Sequence, residues 1–168
     1  GGGSMSGFYA KTSSAVEADN SCAVGSTENF PIGSWIIAMD NTYQPGKVEP
    51  VEPIGYPDAG SGPGGTTPFN LYSYGLVNQL LQNEIPVYWA IASGKVKNGV
   101  DINTDAFQMF PTNLGSGSST NKNYIGGPFV IHPSDTALAR PIIAAFGNDV
   151  KVYETTLAMP TLEYRYIL

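Results

Sequence analysis

Charge is scarce in this sequence, and basic charge scarcest. Of 168 residues only 8 are Lys or Arg against 14 Asp or Glu, a formal net charge of −6. A phosphate backbone would meet a repulsive field over most of such a surface, so no nucleic-acid partner is expected. Charged residues make up 13%, where about 25% is usual, and Ser, Thr, Asn, Gln and Gly must form the solvated surface instead. Such a surface is common in exported proteins and sets the expectation of a secreted or cell-surface location. Cysteine is nearly absent: Cys22 alone permits no intrachain disulfide and no cysteine-based zinc cluster. It stands in the polar stretch Asn20-Ser21-Cys22-Ala23, without a lipid-attachment pattern or an activating helix, and reads as an inert thiol. His132 is the sole histidine, hence the one imidazole for acid–base work. No apolar run reaches the roughly 18 to 20 residues that span a bilayer, and no charged-then-apolar leader opens the chain. No transmembrane segment is expected.

The length suits one domain with its own core and is short for two. Residues 1 to 29 are rich in Ser, Ala, Gly and Asn without periodicity, which predicts a linker (Gly1-Gly2-Gly3-Ser4-Met5) and an extended arm with an edge strand around Gly7 to Lys11. Residues 30 to 168 are expected to form a single α/β domain. Because the chain stops inside the apolar pattern Tyr166-Ile167-Leu168, a piece of a longer protein with neighbouring domains is expected. Trp35 to Met39, Val87 to Ile91, Phe129 to Ile131 and Val150 to Tyr153 are short apolar runs, the pattern of strands covered on both faces. Six prolines make residues 44 to 68 a long surface loop. Thr67 as cap and Pro68 in the first turn predict a helix to about Asn83, with Phe69, Leu76, Val77, Leu80 and Leu81 on one face. A second helix is predicted after Ser134 or Asp135, with Leu138, Ile142, Ala145 and Phe146 as its apolar face and Pro141 marking a kink or a late start. Between them, Ser93 to Tyr124 reads as polar and Gly-rich, with a strand pattern at Gly99 to Asn103 and a helical turn at Ala106 to Phe110. Leu162, Tyr164, Tyr166 and Leu168 alternate along one half-buried terminal strand. Strand, helix, strand, twice over, predicts a small, mainly parallel sheet with flanking helices.

Four segments carry a resemblance: Ile36-Ile37-Ala38-Met39-Asp40-Asn41-Thr42, Phe69-Asn70-Leu71-Tyr72-Ser73-Tyr74-Gly75-Leu76-Val77, Ile85-Pro86-Val87-Tyr88-Trp89-Ala90-Ile91 and Gly126-Gly127-Pro128-Phe129-Val130-Ile131. Together they resemble a flavodoxin-like or class I glutamine-amidotransferase-like α/β domain found in large secreted bacterial surface proteins, a family with no agreed activity. The resemblance implies a flavodoxin-like parallel sheet and an exported bacterial setting. An amidotransferase of that class carries a nucleophilic Cys at a strand-to-helix turn. Here that turn reads His132-Pro133-Ser134 and Cys22 lies in the arm, so the resemblance implies the fold without the glutaminase chemistry.

Candidate chemistry gathers at the expected carboxyl ends of the strands, where open α/β sheets bind ligands. Asp40 and Asn41, Ser93 and Lys95, His132, Ser134 and Asp135, and Glu154 all fall there. A Ser-His-Asp arrangement can be drawn from Ser93 or Ser134, His132 and Asp40, with the hydroxyl attacking, the imidazole taking its proton and the carboxylate orienting the ring. Ser134 lacks the G-x-S-x-G elbow, however, and Ser134 or Asp135 serves equally as a helix cap. Asp101-Ile102-Asn103-Thr104-Asp105 begins like a calcium loop, which makes Asp101, Asn103 and Asp105 candidate Ca²⁺ ligands. Phe107 to Phe110 stands where that loop needs a glycine and a later glutamate. Gly60, Gly62 and Gly65 have the spacing of a dinucleotide turn but follow the preceding strand by about twenty residues, so a Pro/Gly loop without cofactor is expected. Tyr43, Tyr56 and Tyr124 fall in predicted loops, where a rigid ring serves protein or glycan contact or packs the loop down.

The expected function is a non-catalytic structural or interaction module of a secreted or cell-surface bacterial protein, serving assembly, adhesion or spacing, with a protein or glycan surface as its partner. The alternative is a hydrolase-like enzyme acting at the carboxyl edge of the sheet around His132.

Overall fold

A computed structural model describes residues 25–46 and 70–168. The strand expected at Gly7 to Lys11, Cys22, Tyr56, the glycines at 60, 62 and 65, the Thr67 cap with Pro68, and Phe69 lie outside the described residues. In chain order the elements are β1 (Ser26–Phe30), β2 (Trp35–Ile37), α1 (Leu71–Gln82), β3 (Tyr88–Trp89), β4 (Val100–Phe110), β5 (Thr120–Ile125), β6 (Phe129–Ile131), α2 (Thr136–Ala145), β7 (Val152–Thr155), β8 (Met159–Tyr164) and β9 (Tyr166–Ile167).

Seven strands make one sheet in the order β5-β4-β7-β2-β6-β3-β9, while β1 and β8 form a separate two-stranded ribbon. All of these pairings are antiparallel. The mainly parallel, flavodoxin-like α/β sheet expected from the sequence is therefore incorrect. The strand–helix–strand units are present, but they interleave. β2 and β3, joined through α1, run the same way with β6 between them, antiparallel to both. Likewise β6 and β7, joined through α2, enclose β2. This is the split β-α-β connectivity, and the β4–β5 hairpin extends it beyond β7.

The apolar strands are covered on both sides, as their composition demands, but by two different layers. Trp35, Ile37, Phe129, Ile131, Val152, Phe107 and Met109 face the helices and meet Leu76, Val77 and Leu80 of α1 and Ala139 and Ile143 of α2. Their alternates Ile36, Val130, Tyr153, Ile102, Ala106 and Tyr124 face the ribbon and meet Phe30, Met159 and Leu162. Each large side chain buried this way stabilises the fold by about 1.5 to 3 kcal/mol. Continuous apolar runs are the habit of parallel sheets because helices usually cover both of their faces. Here a β-ribbon replaces one helical layer, and the same runs sit in antiparallel strands.

Two local expectations also change. Ala106 to Phe110 is not a helical turn but the end of the 11-residue β4; Phe107 and Met109 supply one core and Ala106 the other, so no polar alternation betrays the strand. The terminal strand is divided: Leu162 and Tyr164 belong to β8, whose partner is β1, whereas Tyr166 belongs to β9, whose partner is β3. Leu162 is buried, but Tyr166, Ile167 and Leu168 are exposed. The first described helix begins at Leu71, and the Asn70 side chain caps it by accepting from the Tyr72 N–H at 3.0 Å.

Candidate functional site

The antiparallel register decides which candidate residues meet. Ile131 pairs with Trp35 and Phe129 with Ile37, so His132 lies beyond one end of β2 and Asp40 beyond the other. Trp89 pairs with Phe129, which puts Ser93 at the Asp40 end. The structure therefore brings His132 to Ser134 but not to Asp40 or Ser93. Nδ1 of His132 accepts from the Ser134 backbone N–H at 3.1 Å, and the Ser134 Oγ stands 2.8 Å from the same nitrogen. With Nδ1 accepting, the ring proton belongs on Nε2. His132 is the N-cap of the short 3₁₀ turn Pro133–Asp135 that leads into α2, and its ring packs on Phe30 with centroids 5.7 Å apart. The proline at N1 fixes that turn.

The carboxylates are tied to the backbone. Asp40, buried, accepts from the N–H groups of Thr42 at 2.9 Å and Tyr43 at 3.0 Å and closes the turn after β2. Asp101 accepts from Ala92 N–H and Gly127 N–H, each at 2.9 Å, and meets Lys95 Nζ at 2.7 Å with its side chain wholly buried. Ser93 donates its N–H to Glu163 at 3.1 Å, and Glu154 accepts from the Trp35 indole at 2.9 Å. Asn103 bonds instead to Asn121 at 2.9 Å and to Asn123, and Asp105 accepts from Asn121 at 3.0 Å. Asn103 and Asp105 thus share Asn121, while Asp101 serves a separate network. Among the described residues no group of three or more His, Cys, Asp or Glu is placed to hold a metal ion.

The tyrosines are structural in their placement. Tyr124 lies in β5 rather than a loop and is fully buried, its ring 5.0 Å from that of the half-buried Tyr43 and 5.8 Å from that of Tyr153. The Tyr153 hydroxyl donates to the Tyr43 carbonyl at 2.6 Å. Burial pushes both the Tyr124 and the Tyr153 phenols well above their ordinary range, and neighbouring phenols and Asp40 add to the effect. Lys122 points inward from the edge strand beside them, donating to Ala106 O at 2.5 Å and Thr120 Oγ1 at 2.7 Å. Its ammonium is held below the ordinary range by burial, partly offset by Asp105. An inward lysine on an outer strand also discourages another strand from adding there.

What the sequence did not flag is a groove on the outer side of the helices. It has a volume of about 570 Å³ and is lined by Tyr72 and Gln79 of α1, Pro141, Ile142 and Ala145 of α2, and the following Phe146 and Asp149. The size falls within the roughly 300 to 1,000 Å³ usual for ligand sites. α1 carries no charged residue, and α2 carries one, Arg140, whose guanidinium lies 5.0 Å from the Trp35 ring. Leu71, Tyr72, Tyr74 and Leu138 are exposed on this layer. Both helices accept weakening residues here. Gly75, one turn from Tyr72 and from Gln79, costs about 0.5 to 1 kcal/mol relative to alanine. Pro141 removes the bond to the Ala137 carbonyl, at about 3 kcal/mol in a helix interior. A glycine in mid-helix was the available signal.

A polar network ties the segment that bears Asp149 to the start of α1. The Gln44 side chain pairs with the Lys151 backbone in both directions, at 2.7 Å each way, and accepts from Asn70 at 3.3 Å. Asn70 in turn donates to the Asp149 carbonyl at 2.7 Å. The start of α1 is thereby fixed to the segment that bears Asp149. Set against protein-family models, curated proteins and solved structures, the chain matches none.

Proposed function

We propose that this chain is a non-catalytic interaction module of a secreted or cell-surface bacterial protein, serving assembly, adhesion or spacing. The observation that carries the reading is the helical layer: a groove lined by Tyr72, Pro141, Ile142, Ala145 and Phe146, on a layer that also exposes Leu71, Tyr74 and Leu138 and whose two helices carry a single charged residue. Exposed apolar area of this kind marks interaction sites more often than it decorates monomers. The low charge of the chain suits an exported setting. No helix among the described residues is long and apolar enough to cross a membrane.

The engagement of Asp40, Asp101, Glu154 and Glu163 with backbone or indole donors supports a structural role for the polar residues near the strand ends. A hydrolase-like reading has one observation in its favour, the 2.8 Å contact between His132 and Ser134. Hydrolysis of a chromogenic acetyl ester separates the two. The module reading expects a rate no greater than free imidazole at equal concentration, and the same rate for His132→Ala as for any neutral surface variant. Saturable turnover that disappears in both His132→Ala and Ser134→Ala would establish the hydrolase instead.

A further inference from the structure

We propose that Asn98-Gly99, in the turn between β3 and β4, is a self-modification site, at which the Asn98 side chain closes on the Gly99 backbone nitrogen and the residue converts to aspartate and isoaspartate. The site is independent of the helical groove and of the interaction-module reading.

The fold itself requires this dipeptide. Asn98 has φ +62, the left-handed region that asparagine tolerates better than most residues with a side chain. A Cβ on residue 99 would lie 2.9 Å from the Val96 carbonyl oxygen and 2.9 Å from the Lys95 Cβ, so only glycine passes there. The Gly99 N–H closes the turn by donating to that same carbonyl at 2.8 Å. What suits the turn also suits a reaction: the Gly99 nitrogen is unshielded by any side chain of its own and follows an amide carbonyl with which it can close a five-membered ring. Among the described asparagines Asn98 alone precedes a glycine, and it is exposed. Its side chain makes no hydrogen bond among the described residues. Six others are engaged by the fold: Asn70 caps α1, Asn83 donates to the Gln79 carbonyl, Asn113 accepts from the Gly115 N–H, and Asn103 bonds to Asn121 and Asn123.

Water is the one co-reactant the step needs. The Gly99 nitrogen loses its proton to solvent and bonds to the Asn98 Cγ, the Cγ–Nδ2 bond breaks, and the amide nitrogen leaves as ammonia. One water then opens the succinimide, and the main chain runs on through the α-carbonyl as aspartate or through Cγ as isoaspartate. Either product adds a carboxylate to the loop that carries Lys95 and Lys97. Isoaspartate also lengthens the main chain by one methylene inside the turn that the bond from Gly99 to Val96 closes. Lys95 carries the change inward, because its Nζ meets the buried Asp101 carboxylate at 2.7 Å and the Gly99 carbonyl at 3.5 Å. Conversion at Asn98 therefore weakens the contacts of Asp101.

The test incubates the whole chain in warm, mildly alkaline buffer beside a synthetic peptide of residues 94 to 102, and maps both by peptide mass and by enzymatic methylation of isoaspartate. A gain of one mass unit is expected at residue 98, with isoaspartate detected there. Its rate should lie within about tenfold of the peptide's, since a single exposed turn hydrogen bond restrains the nitrogen by no more than that factor. Asn98→Gly suits the positive φ and is expected to abolish the gain while melting with the parent. Asn98→Asp carries the charge without the added methylene and is expected to melt within a degree or two of the parent, whereas the isoaspartate fraction, separated by ion exchange, melts lower. No gain at residue 98 by the time the peptide has largely converted, or a gain that appears first at another asparagine, would overturn the site. An isoaspartate fraction that melts with Asn98→Asp would overturn the effect assigned to the lengthened main chain.

Discussion

Replacing Asp101 by alanine should cost about 3 to 5 kcal/mol, the usual penalty for breaking a buried charge-assisted cluster from one side. The figure follows from what the carboxylate holds. It accepts from Ala92 N–H and Gly127 N–H at 2.9 Å each and from Lys95 Nζ at 2.7 Å, and its side chain has no solvent exposure. Hydrogen bonds to a charged acceptor contribute about 1.5 to 3 kcal/mol each, and an orphaned buried N–H such as that of Gly127 costs about 1 to 3 kcal/mol. Lys95 retains 24% side-chain exposure and can turn to water, so its share of the loss is small. Asp101→Asn should be nearly as damaging, because the amide turns an N–H toward one of the three donors. Urea unfolding with the m-value held as a check on two-state behaviour measures the change. Against a total stability of about 5 to 15 kcal/mol the loss is large. If Asp101→Ala lies within about 1 kcal/mol of the parent, the carboxylate does not lock β3, β4 and β6 together and the reasoning fails.

Three further outcomes follow from the same contacts. Gln44→Leu leaves the Lys151 N–H and C=O without their side-chain partner and removes the longer of the Asn70 amide's two bonds, and should lower stability by about 2 to 4 kcal/mol; a melt unchanged within a degree or two would contradict it. Glu84, exposed beyond the end of α1, has φ +58, where glycine is at ease, so Glu84→Gly should raise stability by about 0.5 to 1 kcal/mol in the same urea titration. In alkali, the unfolded phenols ionise near pH 10 while Tyr124 and Tyr153 keep their protons in the fold, so the folded state binds more protons and stability falls as pH rises above about 10. Lys122 acts with the opposite sign: its lowered folded value makes stability rise with pH in the window just below about 10.5. Tyr124→Phe, which removes a buried hydroxyl that has no hydrogen-bond partner among the described residues, should flatten the alkaline loss with little change at neutral pH.

The elements were legible in the sequence wherever a local rule governs them, and illegible wherever a partner distant in the chain does. The spacing of Leu76, Val77 and Leu80 requires a helix that buries one face, and those three are buried against the sheet. Trp35 to Ile37 and Phe129 to Ile131 are apolar on both faces because they lie between two layers. Nothing in either run records that β6 enters between β2 and β3, since a strand covered on both sides offers the same residues to a parallel or an antiparallel neighbour. That insertion, with the matching one of β2 between β6 and β7, turns the expected parallel neighbours into antiparallel ones.

The same insertion undoes the reading of the candidate site. In a parallel sheet Asp40, Ser93 and His132 would share the carboxyl edge, which is why they invited a catalytic arrangement. With β6 antiparallel to β2 and β3, the residue after β6 lies at the opposite end from the residues after β2 and β3. Strand direction, not residue identity, decides whether a serine, a histidine and an aspartate can work together. The groove escapes this dependence. Gly75 and Pro141 stand in helices whose faces are set by local periodicity, and a glycine and a proline in helix interiors are visible exceptions to propensity. A sequence in which the helices carry almost no charge and each tolerates one weakening residue already points to their outer surface, before the strand order is known.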